Sequence, residues 1–268
     1  MSNAPLLALD AITFRYAGAA KPVLRSVDFC LDLGQRVGIV GANGSGKTTL
    51  FHLIMGLLRP EAGRVCHRGQ VLVTEKDFGP LRREVGLVFQ HPDDQLFSPT
   101  VLEDVAFGPL NLGLSPAQAK AVAEETLAGL GLAGFEHRLT HRLSGGEKRL
   151  VSLATVLAMR PKAVLLDEPT NDLDPDTRLT LIDLLNGLDV ALAIISHDWD
   201  FLSRVAREFV VVRDGVITPL AEGQPHIHPH VHPGGDLLHL HLNKTADPGH
   251  GGVCCPEEPR VQETTPVK

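Results

Sequence analysis

Four cysteines in 268 residues, two of them the adjacent pair Cys254-Cys255, are too few and too scattered for a disulfide framework. A surplus of positive charge is also missing. Lys and Arg number 25 against 32 Asp and Glu, a formal net charge of −7, and this excludes a broad basic surface for nucleic acid. No apolar run approaches the ~20 residues that span a bilayer. The first ten residues lack the basic start and small-residue cleavage site of a signal peptide. Sustained coiled-coil heptads are absent, and Tyr16 is the single tyrosine. These absences leave a soluble chain of a reducing compartment, one that needs other chains for any membrane process. A 43% hydrophobic content supports one large domain or two small ones.

The stretch that organises the chain is Gly41-Ala42-Asn43-Gly44-Ser45-Gly46-Lys47-Thr48. It follows the apolar run Arg36 to Val40 and precedes another, Thr49 to Leu58, that reads as a helix. Strand, glycine loop and helix are the context of a phosphate-binding loop. Glycines let backbone N–H groups turn inward, and the positive helix end adds to the anion cradle. Lys47 would reach the β- and γ-phosphates, and the Thr48 hydroxyl would sit on Mg²⁺. Thr49 joins the candidate nucleotide contacts. Without a ligand the same residues make a tight strand-to-helix turn.

Three further apolar runs end in polar residues. Val85 to Phe89 ends at Gln90, Ala163 to Leu166 ends at Asp167-Glu168, and Val190 to Ile195 ends at Ser196-His197-Asp198. Continuous apolar strands are those of a parallel sheet covered on both faces. The C-terminal edge of such a sheet is where open α/β folds bind ligands. Asp167 would hold Mg²⁺ through water, and Glu168 would polarise an attacking water as general base. Gln90 could ligate Mg²⁺ without adding charge. His197 could hydrogen-bond a γ-phosphate or orient the water. Taken singly, Gln90 is a polar strand end and His197 a structural histidine; three strand ends on one edge change that weighing.

Leu143-Ser144-Gly145-Gly146-Glu147 precedes a periodic helix, Lys148 to Met159. Ser144 with Gly145 and Gly146 at a helix start is a second anion-binding arrangement, though alone it is only a cap. Residues 99–135 read as helical, with Ser115-Pro116 as N-cap and first-turn proline. A helix follows from Thr177 to Leu188. Residues 6–33 alternate as strands. Tyr16 ends the first of these, where an aromatic ring could stack on adenine or simply close a strand.

Together these motifs resemble the nucleotide-binding subunits of ABC transporters over residues 6–222. Walker A is 41–48, Walker B is 163–168 and the signature is 143–147, with Glu147 where Gln is usual. Gln90 falls at the Q-loop, His197 at the switch histidine, Asn171 to Asp174 at the D-loop, and Tyr16 at the adenine-stacking position. The resemblance implies an α/β fold with a P-loop core, an antiparallel β subdomain and an α-helical subdomain at about 90–160, all within residues 1–223. It implies ATP and Mg²⁺ shared by a head-to-tail dimer, homotypic or with a paralogue. The P-loop of one subunit would then meet Ser144, Gly145 and Gly146 of the other. The stretch Phe89-Gln90-His91-Pro92-Asp93-Asp94-Gln95-Leu96-Phe97 resembles energy-coupling-factor importers, cobalt and nickel systems above all. That likeness implies a transmembrane partner docked on residues 90–112 and a position on the cytoplasmic face of the membrane. A soluble ABC ATPase acting on ribosomes or DNA is the competing reading. It fits poorly with one cassette, no coiled coil and an acidic balance.

Beyond residue 223 the composition changes. Residues 224–268 carry His226, His228, His230, His232, His239, His241 and His250 among prolines and glycines that prevent regular helix. Imidazoles at i, i+2 spacing suit Ni²⁺ or Co²⁺, and Cys254-Cys255 could add thiolates. The other reading is a disordered, weakly binding tail.

Overall fold

The structure, a computed structural model, describes residues 4–220. The histidines from His226 to His250 therefore lie outside the described residues. The strands are β1 (Leu7–Phe14), β2 (Leu24–Leu31), β3 (Arg36–Val40), β4 (Ala62–His67), β5 (Gln70–Leu72), β6 (Val85–Val88), β7 (Ala163–Asp167), β8 (Ala191–Ile195), β9 (Glu208–Arg213) and β10 (Val216–Pro219). The helices are α1 (Lys47–Ile54), α2 (Glu75–Glu84), α3 (Val101–Asn111), α4 (Pro116–Gly129), α5 (Gly145–Leu157), α6 (Pro175–Gly187) and α7 (Trp199–Val205).

The central sheet has the order β10-β9-β3-β8-β7-β6, parallel except for the edge strand β10. Every residue of β3, β6, β7 and β8 is buried. The two-residue period of a strand explains how apolar continuity serves two faces. Ile39, Leu165, Ala193 and Ile195 point into a core shared with α1, α2 and the second sheet. Val40, Leu166, Leu192 and Ile194 point into the opposite core, built with α3 to α7.

The second sheet is antiparallel, in the order β2-β1-β4-β5. Its central strand is bulged at Ala11, which takes a left-handed conformation with φ 48°. Opposite, a side chain on Gly63 would lie 2.5 Å from the carbonyl oxygens of Asp10 and Ala11, so only glycine fits there.

Several boundaries differ from the sequence expectation. The helix after the glycine loop stops at Ile54 rather than Leu58. The turn at Gly56 has φ 68°, and a Cβ there would lie 2.5 Å from the Phe78 ring. Residues 99–135 hold two helices, divided at Gly113 with φ 93°. Ser115 and Pro116 begin the second as expected. The helix after Ser144 starts at Gly145, and α6 starts at Pro175, not Thr177. Helix α2 was not foreseen, and it carries Gly79 and Pro80 in its interior. Thr74 and Asp77 form a capping box at its start, and Phe78 and Leu81 anchor it in the core. Helix α7, only 7 residues long, was missed as well.

Candidate functional site

The glycine loop spans residues 41–46 between β3 and α1. A side chain on Gly41 would collide with the Val212 carbonyl of β9, so the loop runs close beside that strand. Gly44 and Gly46 have φ of 76° and 105°, backbone that glycine adopts without strain. No side chain caps α1. Its first-turn N–H groups are thus left for an outside acceptor, the basis of anion binding at helix starts. The Ser45 hydroxyl is buried without a hydrogen-bond partner.

Lys47 is 7% exposed. Its Nζ donates to the carbonyls of Gly41, at 2.8 Å, and Ala42, at 3.1 Å. Burial pushes the ammonium below its ordinary pKa, and Glu168 and Asp167 oppose that shift.

The carboxylates come from the end of β7. Asp167 is hydrogen-bonded by the Thr48 side chain, and its Oδ1 is buried with no partner. Burial holds its pKa above the usual carboxylate range, with Thr48, His52, Lys47 and Arg149 pulling the other way. An orphaned carboxylate oxygen next to a threonine hydroxyl fits a hard divalent cation that prefers oxygen ligands. Glu168 follows with a left-handed φ of 45°, a strained conformation for this residue type that turns its side chain off the strand. Its Oε1 lies 3.2 Å from Nε2 of His197, which stands at the end of the neighbouring β8. Its Oε2 accepts the His197 backbone N–H at 3.3 Å.

His197 Nε2 also lies 3.5 Å from Lys47 Nζ. One ring nitrogen cannot donate to a carboxylate and accept from an ammonium at once. The contact to Glu168 is the shorter, 3.2 Å against 3.5 Å, and joins the ring to a carboxylate, so it is the stronger.

Tyr16 is 45% exposed, and its hydroxyl meets the buried Thr49 hydroxyl at 2.9 Å. The ring packs edge-on against Phe14 with centroids 4.9 Å apart. Gln90 follows β6, and its carbonyl accepts from Arg149 Nη2 at 2.8 Å. The other terminal nitrogen of Arg149 donates to the Phe89 carbonyl, also at 2.8 Å. Sequence reasoning missed Arg149. The only available signal was a second cation, after Lys148, at the point where the apolar part of α5 begins.

Ser144 caps α5 in a reciprocal box. Its hydroxyl accepts the Glu147 N–H at 3.3 Å, and Glu147 accepts the Ser144 N–H at 2.8 Å. A Cβ on Gly146 would sit 3.0 Å from the Thr177 methyl of α6. A cleft of about 990 Å³ flanks the glycine loop on the β9 side, bordered by Gly41 to Ser45, Ser196, His197, Trp199 and Arg213. It does not reach Asp167 or Glu168, and Ser144, Gly145 and Gly146 do not line it. The structure thus gathers Lys47, Thr48, Asp167, Glu168 and His197 on one sheet edge and leaves the second helix start apart from the cleft.

A glycine loop between a parallel strand and a helix, with paired carboxylates on a nearby strand end, defines a P-loop nucleotide-binding protein. The sequence profile of the ABC transporter family matches residues 24–171. The cobalt import ATP-binding protein CbiO of Rhodobacter capsulatus is 45% identical over 223 residues, covering 82% of this chain and 79% of that protein. The energy-coupling factor transporter ATP-binding protein EcfA of Methanothermobacter thermautotrophicus is 42% identical, over 82% and 71%. Among solved structures, CbiO1 of Clostridium perfringens, part of the ABC transporter complex CbiONQ, superposes with a TM-score of 0.71 at 32% identity, covering 80% of this chain and 87% of that one. The chain belongs to the ABC transporter family and is an ATPase of the energy-coupling-factor kind within it. No helix among the described residues is long and apolar enough to cross a membrane.

Proposed function

We propose that this chain hydrolyses ATP as the motor subunit of a membrane importer whose cargo is a transition-metal ion, cobalt or nickel. Residues 1–223 are the motor domain, with a helical subdomain at about 90–160. The observation that carries the reading is the meeting of Glu168, His197 and Lys47 at 3.2 and 3.5 Å beside the glycine loop.

In this reading the ATP phosphates lie on the N–H groups of residues 41–48, with Thr49 behind them and the adenine on Tyr16. Lys47 exchanges its two backbone carbonyls for the β- and γ-phosphate oxygens. Thr48, Asp167 and Gln90 hold Mg²⁺, which supplies neutralisation of the phosphate charge when bound. Glu168 takes a proton from the attacking water. The new P–O bond forms as the bond to the β-phosphate oxygen breaks, giving ADP and phosphate. His197 turns its Nε2–H from Glu168 Oε1 toward the γ-phosphate, while Glu168 Oε2 keeps the backbone N–H of His197. Ser144, Gly145 and Gly146 of a second ATPase subunit, the same chain or a paralogue, close over the nucleotide.

The docking face for the transmembrane subunits is residues 90–112. Phe97 and Phe107 are both exposed there and stack edge-on with centroids 4.8 Å apart. Two exposed aromatic rings in contact suit an apolar partner helix. The chain then works on the cytoplasmic face of the membrane. His226, His228, His230, His232, His239 and His241 buffer the cargo metal there. Cobalt is favoured as cargo by the likeness to CbiO.

The test is uptake of radiolabelled Co²⁺ and Ni²⁺ by cells carrying either the wild-type chain or Glu168→Gln as their only copy. Loss of uptake of one metal in the variant is expected. Uptake of both at the wild-type rate would overturn the assignment of cargo.

A further inference from the structure

The polar contacts of the His197 ring are with Glu168 and Lys47, groups that the nucleotide itself engages. Half of that side chain is exposed. Its place is therefore set by the backbone on either side. Ser196 is buried, and its hydroxyl meets the Thr170 hydroxyl at 3.3 Å. Asp198, on the other side, donates its own N–H to Ser196 Oγ at 3.1 Å and accepts the Phe201 N–H at 3.0 Å to cap α7.

Asp198 in turn is gripped by Arg178 in the first turn of α6. Nε of Arg178 donates to Oδ2 at 2.5 Å and Nη2 to Oδ1 at 2.8 Å, a two-pronged pairing. The same Nη2 also reaches Asp200 at 2.7 Å. The guanidinium and the Asp198 carboxylate are both largely covered, so solvent screens the pair less than an ordinary surface bridge.

We propose that Arg178 is a positioning residue for hydrolysis, fixing the His197 ring by holding Asp198 in the fork of its guanidinium. The inference rests on the role given to His197 above. A planar fork defines both the distance and the plane of the carboxylate it holds. With that grip lost, the segment from Ser196 to Asp198 keeps only the α7 cap and the Ser196 contacts, and the ring can drift from the γ-phosphate. Displacements of about 1 Å at a reacting centre cost on the order of 10²-fold in rate.

The experiment is a double-mutant cycle on the full chain with Mg²⁺ and ATP, read in single turnover so that slow variants remain countable. Arg178→Ala should lower the hydrolysis rate roughly ten- to hundred-fold, with the ATP concentration for half-saturation moved by no more than about two-fold. In the His197→Ala background the same substitution should cost little further, because the group it positions is gone. Arg178→Lys keeps the charge without the fork and should recover only part of the rate.

A wild-type rate for Arg178→Ala would overturn the proposal. So would losses that multiply fully across the two sites. His197→Ala turning over at the wild-type rate would overturn the role of the histidine itself, and that single variant distinguishes the two failures. If Arg178→Ala does not fold by circular dichroism, Arg178→Lys and Asp198→Asn take its place under the same criteria.

Discussion

The Glu168 carboxylate and the His197 ring meet at 3.2 Å, delivered by the ends of the adjacent parallel strands β7 and β8. The carboxylate stays buried while the ring faces solvent, so a base is sheltered beside a group open to the incoming phosphate. Glu168→Gln keeps the shape of the side chain and removes its capacity to take a proton. Turnover should fall by at least about 10²-fold, the scale of lost general-base catalysis, while ATP affinity holds. The ATP-loaded variant should accumulate as a closed dimer in analytical ultracentrifugation. A monomeric variant with ATP bound would contradict closure across two subunits.

Asp104 gives a stability prediction whose size depends on pH. Its Oδ1 accepts from the N–H groups of Phe97, at 3.2 Å, and Ser98, at 2.9 Å, while Oδ2 is buried with no partner. Burial raises its pKa against the opposing hydrogen bonds from Ser98 and Phe97, and Glu103 beside it pushes in the same direction as burial. The folded protein therefore holds this proton more tightly than the unfolded chain. The penalty is absent below the unfolded value near ~3.9, grows as pH rises, and is complete above the folded value. Asp104→Asn should raise Tm by a few degrees at pH 7, on the order of 1 kcal/mol. The gain should vanish toward pH 4. A Tm difference that is flat with pH would show that the carboxylate carries no such penalty.

The histidines beyond residue 223 lead to a binding prediction of their own. Imidazole must be neutral to ligate a metal. Calorimetry with Ni²⁺ or Co²⁺ should show binding by the full chain that is lost in a chain ending at Gly223. Affinity should fall as pH drops through the imidazole pKa near ~6.5. Equal metal uptake by the two chains would remove the tail from any part in metal handling.

The sheet and its ligand edge were legible because each strand announces itself twice. Val164 to Leu166 are apolar on both faces and end in acids, and β3 coincides with the run read before the glycine loop. What was not legible depends on contacts distant in sequence. Arg149 is a buried cation whose partners are the carbonyls of Phe89 and Gln90, 60 and 59 residues away. A local pattern marks a helix cap, but none marks a side chain that bonds to backbone so far along the chain. The grip of Arg178 on Asp198 spans 20 residues and is equally silent. Helix α2 was not foreseen, and there the capping box and the buried Phe78 outweigh the local penalty of Gly79 and Pro80 in its interior.

Tyr16 separates the two uses of an aromatic residue. Its hydroxyl is occupied by Thr49 at 2.9 Å, on the first turn of α1, while nearly half of the residue is exposed. If the ring stacks on adenine, it is the ring that carries affinity, and the hydroxyl only sets its angle. Tyr16→Phe keeps the stacking surface and leaves the buried Thr49 oxygen short of one partner, so stability should drop by about 1 kcal/mol while ATP affinity stays within about two-fold. Tyr16→Ala should weaken ATP by roughly ten-fold, the free-energy scale of one aromatic contact. The same variant should leave the affinity for inorganic tripolyphosphate unchanged, because that ligand has no base to stack. Equal weakening of ATP and tripolyphosphate by Tyr16→Ala would mean the ring acts by holding the glycine loop through Thr49 and not by touching the nucleobase.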